Sequence, residues 1–256
     1  MDSNTVASEH LFLTRKRLEE EFDDIFRLVE NAHVDFMEIT EIFFTNELLE
    51  KLIKILTRLK TMKNVAIRNC RMKKNHLNGF FKSLRSEMFV QSLTFEKTAI
   101  QSKGCKLICT FLQSFPELKG LSLVGAGIDN YQMSLLAKGI SSSQLEVLDL
   151  RNNIFEAKGF ISLVQSLQSK MTVHELTLNE LCLERSDTSI FAEYLNLAQT
   201  KIQRLSLIDF DAPEQGMGEV IKMLSRCSEI RELTLNKNKL SDSNCEQLVQ
   251  SLKYHQ

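Results

Sequence analysis

The residue types that most often carry out catalysis do not form a recognisable group in this sequence. Its histidines are His10, His33, His76, His174 and His255. An enzyme site needs a nucleophile, an acid or base and an orienting group that the fold brings together. The histidines share no spacing, and the adjacent His174 and Glu175 would point to opposite faces of a strand. The sequence therefore predicts a protein that is not an enzyme.

Cysteine and glycine spacing does not indicate a metal or cofactor site either. Cys105 and Cys109 would share one face of a helix, but a metal needs two further ligands, and no C-x-x-C pair or histidine-rich segment supplies them. Gly125 and Gly127 lack the strand-turn-helix context of a phosphate-binding loop. Six cysteines in 256 residues are too few for a secreted disulfide scaffold. We predict no metal, no cofactor and a reducing, cytoplasmic compartment.

The elements that would position any site are clearest in the stretch Leu145–Phe155. It has the form L-x-x-L-x-L-x-x-N-x-apolar. Leu148 and Leu150 alternate with Asp149, which is the period of a short strand with one buried face. Asn153 follows, where the chain leaves the strand and an amide side chain can satisfy backbone groups of neighbouring turns. This stretch predicts one unit of a repeat.

The same register recurs along most of the chain. Units of 27 to 29 residues begin at Val34, Met62, Val90, Leu118, Leu145, Val173, Ile202 and Ile230. The fourth and sixth positions are apolar in every unit, and a second apolar pair, spaced i and i+4, follows in the second half of each. The first pattern predicts a strand and the second a helix, so each unit is predicted to be strand, loop and helix.

This repeat resembles the ribonuclease-inhibitor subclass of leucine-rich repeats, over about residues 34 to 252. The resemblance implies an α/β solenoid of about eight repeats, curved into a horseshoe arc with a parallel β-sheet on the concave face and helices on the convex face. The family favours Asn or Cys at the ninth position, as at Cys70, Asn153 and Asn238. The departures are Ile42, Thr98, Ala126, Leu181 and Phe210. Those units are expected to lack part of the side-chain hydrogen-bond ladder.

Residues 1–33 precede the register and are predicted to form an N-terminal helical cap on the solenoid of residues 34–256. From about Ser8 onward, apolar residues from Leu18 to Val29 recur at helical spacing and would cover the edge of the first unit. The eighth unit shows no obvious polar cap. It either ends the stack itself, belongs to a longer protein, or packs on a partner or a second copy. We expect a monomer, with an edge-to-edge dimer through this last unit as the alternative.

The third, fifth and seventh positions of each unit should point to the concave face, so these side chains are the predicted protein-binding residues. The candidates are Phe36, Arg68, Glu96, Val124, Val147, Asp149, Arg151, Asn179, Arg204, Ile208 and Asn236. Charges would fix the register of a protein partner and the few apolar residues would supply binding energy. The alternative is that the face is polar only to remain soluble.

Overall charge and hydropathy exclude several other classes of function. The formal net charge of −1 favours neither nucleic acid nor an acidic membrane, and no apolar run approaches the roughly 20 residues of a membrane span. The first ten residues are polar and contain no signal-peptide core. We predict a non-enzymatic adaptor, or a secreted effector acting in the cytosol of a host. The alternative comes from resemblance to the Ran-type GTPase activators, which use this repeat class, and implies that the loop residue Arg71 stabilises a transferring phosphoryl group.

Overall fold

Strands and helices alternate along the part of the chain that the computed structural model describes, residues 9–84, 89–198 and 201–252. The strands are β1 (Glu9–Leu13), β2 (Val34–Thr40), β3 (Asn64–Arg68), β4 (Ser92–Glu96), β5 (Gly120–Val124), β6 (Val147–Asp149), β7 (Glu175–Cys182), β8 (Arg204–Asp211) and β9 (Glu232–Thr234). The helices are α1 (Arg15–Glu20), α2 (Phe22–Asn31), α3 (Asn46–Leu56), α4 (Lys74–Ser83), α5 (Gln101–Ser114), α6 (Asn130–Ile140), α7 (Ala157–Gln168), α8 (Arg185–Leu197), α9 (Glu214–Leu224) and α10 (Asp242–Leu252). Each predicted unit therefore supplies one strand and one helix.

All described strands form one parallel sheet in the order in which they occur in the chain. The predicted register is confirmed, because residues at equal positions of consecutive units pair across the whole sheet, for example Met37 with Val65 and Val65 with Leu93. Residues at the fourth and sixth positions of the first seven units are buried. Their neighbours on either side are mostly half-buried, so one face of the sheet packs against the core and the other is open.

The helices lie on the buried side of the sheet. Their predicted apolar pairs face the core: Leu52 and Leu56 in α3, for example, are both fully buried. Neighbouring helices also pack on one another, and at Gly139 they approach so closely that a Cβ atom would lie 2.8 Å from the Cα atom of Cys109. The architecture is thus the predicted α/β leucine-rich repeat solenoid, an open parallel sheet with helices along one face.

The N-terminal segment differs from the prediction, which was wrong for Glu9–Leu13. We expected helix from about Ser8 onward, but this segment is a strand that pairs in parallel with β2 and extends the sheet by one strand. Leu11 and Leu13 alternate with the more exposed Phe12, so they bury one face of an edge strand. The hydroxyl of Thr14 then accepts a hydrogen bond from the Arg17 amide at 3.3 Å and starts α1.

Helices α1 and α2 have the covering role that the prediction gave to the whole segment. Leu18, Ile25 and Val29 are buried, and both helices contact α3 of the first unit. The division at residue 33 into a cap and a solenoid stays a prediction. Residues 1–8 lie outside the described part of the chain.

The eighth unit is less well covered than the seven before it. Its fourth- and sixth-position residues, Leu233 and Leu235, are only partly buried, as are Leu240 and Leu248. Strand β9 has three residues and is the last strand of the sheet in the described part of the chain. The apolar side of this unit is therefore partly open to solvent.

Candidate protein-binding face

The face of the sheet opposite the helices, here called the inner face, carries the side chains that the sequence predicted. Strand pairing aligns their third, fifth and seventh positions in columns, as in the row that joins Thr94, Ser122 and Asp149. Nine of the eleven candidate residues lie within strands of the sheet. Arg151 and Asn236 lie two residues beyond the ends of β6 and β9, and their carbonyl groups accept hydrogen bonds from Gly125 and Asp209 at 2.9 Å. The nine strand residues alternate with buried residues and therefore face the same side of the sheet.

The first part of the inner face is a charged block centred on Arg68. Its guanidinium hydrogen-bonds to Glu96 on one neighbouring strand, and its Nε lies 3.5 Å from Glu38 on the other. Phe36 lies on β2, two residues before Glu38, and the centre of its ring is 4.4 Å from the centre of the His10 ring on β1. These charges are half-exposed, so each pair contributes little to stability, and their effect is to fix where the side chains point.

A second charged block of the same design lies near the other end of the sheet. Arg204 hydrogen-bonds to Glu175 on β7, and its Nε lies 3.2 Å from Glu232 on β9. Each block thus places one arginine between two glutamates on the neighbouring strands. Each leaves one carboxylate in excess, so a partner would meet two weakly acidic patches.

Between the two blocks the inner face is low and less polar. Gly120 has no side chain, and Val124 and Val147 are half-buried. The charges here neutralise one another: Arg151 Nη2 lies 2.7 Å from Asp149 Oδ2, and Nε lies 3.0 Å from Oδ1. The hydrogen bonds that Arg151 donates to the Asp149 carboxylate raise the pKa of Arg151 above its ordinary value. The centre of the face can therefore accept an apolar group at little electrostatic cost.

The ninth-position ladder holds the ends of the strands where the sequence predicted it. Asn153 is buried; its Oδ1 accepts from the amides of Ala126 and Ile128 at 3.1 and 3.0 Å. The amide of Asn238 likewise bridges to the preceding unit, accepting from Phe210 at 2.7 Å. The Sγ of Cys70 accepts from the Ile42 amide at 3.4 Å.

Three of the departures from the ladder have outcomes that the sequence did not show. Thr98 was expected to leave a gap, which is wrong, because its hydroxyl accepts from the Cys70 amide at 3.0 Å. Leu181 and Phe210 form no such bond and instead pair with each other as β7 and β8 continue to Cys182 and Asp211. The alternation Leu181-x-Leu183 was a signal for this extension.

The cysteines and Arg71 have environments that bear on the predictions made for them. Burial raises the pKa of the Cys105 thiol to about 12 and that of Cys70 to about 11. In the described part of the chain no three His, Cys, Asp or Glu side chains lie together as metal ligands. Arg71 is exposed, and its amide donates to the Ile42 carbonyl at 2.9 Å.

No family model matches this chain, but it is similar to several curated proteins. Ribonuclease inhibitor of Sus scrofa is 24% identical over 224 residues, which cover 86% of this chain and 49% of that protein. Ribonuclease inhibitor of Mus musculus is 25% identical over 64% of this chain and 36% of its own length. The NACHT, LRR and PYD domains-containing protein 5 of Mus musculus is 24% identical over 80% and 18%. The chain spans about half or less of the length of these relatives.

The repeated register, the parallel sheet and the helices along one face define a leucine-rich repeat solenoid. The repeat length, the ninth-position asparagines and the similarity to two ribonuclease inhibitors support a leucine-rich repeat protein of the ribonuclease-inhibitor-like subclass. The leucine-rich repeat relatives indicate that this chain is a protein-interaction module. None of the described helices has the length and apolar character to cross a membrane.

Proposed function

We propose that this protein is a non-enzymatic adaptor or effector that binds a protein partner on its inner face. The observation that carries the proposal is the open sheet face, where two arginine-centred charged blocks flank a low centre with Val124 and Val147. A protein surface that supplies an apolar group to the centre would match both its shape and its polarity. The charged blocks would set orientation and the apolar centre would supply most of the binding energy.

A paired capture experiment tests this proposal. Arg151→Glu/Ile208→Glu changes two exposed or half-exposed inner-face residues, so it should abolish capture of a partner without unfolding the chain. The matched control is Lys158→Glu/Leu197→Glu, which makes the same kinds of change on the helices α7 and α8. The readout is the set of proteins captured from cytosolic lysate, with circular dichroism as the folding check.

Loss of one partner from the inner-face variant alone would place binding there. Identical captured sets for the natural protein and both variants would refute the proposal. Because two relatives are named ribonuclease inhibitor, a ribonuclease is one defined partner to include, with inhibition of RNA cleavage as the readout.

The second candidate is activation of a small GTPase through Arg71. The supporting observation is that Arg71 is exposed on a loop whose backbone is fixed by its bond to Ile42. An arginine held in this way could stabilise charge on a transferring phosphoryl group. GTP hydrolysis by a candidate GTPase would be stimulated by the natural protein and not by Arg71→Ala; equal stimulation by both would remove this candidate.

The proposal includes a monomer in a reducing, cytoplasmic compartment. Three cysteines have thiol pKa values raised by burial to about 11 or 12, which keeps them protonated and unreactive at neutral pH. The partly open eighth unit is the observation that favours an edge-to-edge dimer instead. Light scattering over a concentration series would separate the two, and Leu233→Lys should abolish any dimer formed through that edge.

A further inference from the structure

The loops that follow β2 to β6 form a continuous rim beside the inner face. The tenth residues of the first five units, here called the upper rim, are Phe43, Arg71, Ala99, Gly127 and Ile154. Hydrogen bonds stack these loops on one another. Phe43 and Arg71 pair as an isolated β-bridge, and the Ile154 amide donates to the Ile128 carbonyl, next to Gly127, at 2.9 Å. The upper rim is therefore an ordered surface.

Both ends of the upper rim expose large apolar side chains. Phe43 is 62% exposed and Ile154 is 69% exposed. Between them, past Arg71, lie the small residues Ala99 and Gly127, both open to solvent. Four steps of the sheet, at about 4.8 Å each, separate the two ends, which is a span of about 19 Å. An extended segment of about six residues, at about 3.3 Å per residue, would reach from one apolar end to the other.

Exposed basic side chains lie close in sequence to the second and third positions of this rim. The exposed basic residues there are Arg71, Lys73, Lys74, Lys97 and Lys103. Within the described ranges, none of the five forms an ion pair with a carboxylate. On the inner face, by contrast, Arg68 and Arg204 are each held between two glutamates. Positive charge on the upper rim is therefore free to meet charge on another molecule.

We propose that the upper rim is a second interaction surface, which binds an extended acidic protein segment with apolar side chains near its ends. Carboxylates of the segment would pair with Arg71 and Lys97, and its apolar side chains would pack on Phe43 and Ile154. Charge complementarity is the reason for choosing an acidic partner. This surface lies outside the inner face and adds a second contact to the one proposed above.

A nucleic acid fits the same surface less well. Phe43 is the only aromatic residue among the five rim positions, whereas single-stranded nucleic acid is bound by several stacking rings and a long basic groove. The net charge of the chain is −1, so no general field favours a polyanion.

Selection from a random ten-residue peptide library on the immobilised full chain tests the proposal. We expect enriched peptides to combine at least two Asp or Glu residues with an aromatic or branched aliphatic residue. Their affinity, measured by fluorescence anisotropy, should fall at least about tenfold for Arg71→Glu, because an attraction becomes a repulsion. It should fall about fivefold for Phe43→Ser, which removes an apolar contact.

Two variants match these changes elsewhere in the chain. Arg231→Glu reverses another exposed arginine that has no ion pair in the described part of the chain, and Phe89→Ser removes a side chain that is 61% exposed. Both controls, and the inner-face variant Arg151→Glu/Ile208→Glu, should change affinity less than about twofold. Equal losses from the controls, enriched peptides with no acidic bias, or stronger binding of a ten-nucleotide single-stranded DNA would each overturn the proposal.

Discussion

The turn that follows each strand is closed by different chemistry in two regions of the molecule. Units four and five are here called the polar region, and units six and seven the apolar region. After β6, the buried side chain of Asn153 bonds to the backbone of the unit before it. After β7 and β8, Leu181 and Phe210 lie side by side and the two strands continue pairing to Cys182 and Asp211. The turn therefore requires only that its backbone N–H and C=O groups form hydrogen bonds. Either an amide side chain or a longer strand meets that requirement.

The two solutions distribute their stability differently. The polar solution depends on one residue, since Asn153 also donates to the Leu123 and Leu150 carbonyls at 2.6 and 2.8 Å. The apolar solution depends on packing, because the ring of Phe210 lies 5.6 Å from Phe160 and 5.9 Å from Phe191. Mutations should therefore break the first by unpaired polar groups and the second by a cavity.

The largest expected effect is in the apolar region. Phe210→Ala would leave a cavity inside the aromatic cluster, and we expect the free energy of unfolding to fall by about 3–5 kcal/mol. Urea denaturation followed by circular dichroism measures it. The matched control, Phe89→Ala, removes the same side chain from an exposed position and should change the value by less than about 0.5 kcal/mol. A loss below about 1 kcal/mol for Phe210→Ala would show that β7 and β8 are held by backbone pairing alone.

The polar region should respond to Asn153→Ala. The substitution leaves two backbone amides and two backbone carbonyls without their side-chain hydrogen-bond partner. We therefore expect a loss of about 2–4 kcal/mol in the free energy of unfolding. The amides of Ala126 and Ile128 should also exchange faster with solvent, because Asn153 is their acceptor. Asn236→Ala, at an exposed position, is the control. Unchanged exchange at both amides would contradict the role assigned to Asn153.

Thr98 tests whether a hydroxyl can replace the amide in the same turn. Thr98→Val keeps the shape of the side chain but removes the acceptor of the Cys70 amide, and it should cost about 1–2 kcal/mol in the free energy of unfolding. Thr98→Asn should restore the acceptor and recover most of that loss. If Thr98→Val left the free energy of unfolding unchanged, the Cys70 amide would have another hydrogen-bond partner. The ladder would then end at Cys70.

The fold was predictable because each unit repeats the same apolar spacing. Eight strand and helix pairs followed from the register that begins at Val34. The strand at Glu9–Leu13 was missed because a five-residue segment gives only the Leu11–Leu13 alternation, while the stronger helical pattern of residues 18 to 29 extends almost to it. The ladder at Thr98 was missed because a consensus of Asn and Cys is a list of residue types, whereas the backbone needs only an acceptor.

The candidate site was predictable in position and not in chemistry. The third, fifth and seventh positions face away from the core because side chains alternate along a strand. Which charges cancel could not be foreseen, since Arg151 bonds to Asp149 in its own repeat unit while Arg68 and Arg204 reach across to neighbouring strands. The exposure of Phe43 depends on a loop whose course no periodicity describes.

Tyr194 places a buried hydroxyl group in the apolar region. Its hydroxyl is buried and has no hydrogen-bond partner in the described part of the chain, and burial raises the pKa of the phenol. Tyr194→Phe should therefore increase the free energy of unfolding, by up to about 1 kcal/mol. The measurement is again urea denaturation. A destabilising result would mean that the hydroxyl bonds to a buried water, which Phe cannot hold.

His76, in α4 of the second unit, gives the smallest expected effect. Its Nδ1 accepts from the Lys73 amide at 3.2 Å, so its Nε2–H donates to Asn46 Oδ1 at 3.1 Å. Burial, and then the charge of Lys73, lowers the pKa of His76 below its ordinary 6.5. The unfolded chain therefore takes up the proton first, and stability is lost as pH falls from 6.5 through the lower pKa of the folded state.

The midpoint of urea denaturation should consequently fall between neutral pH and pH 5, and His76→Gln should reduce that fall. Gln keeps an acceptor for the Lys73 amide and a donor for Asn46 but cannot titrate. The Phe210 region contains no histidine within its aromatic cluster, so Phe210→Ala should shift the midpoint at every pH by a similar amount. An equal pH dependence in His76→Gln and the natural protein would show that His76 is not the group responsible.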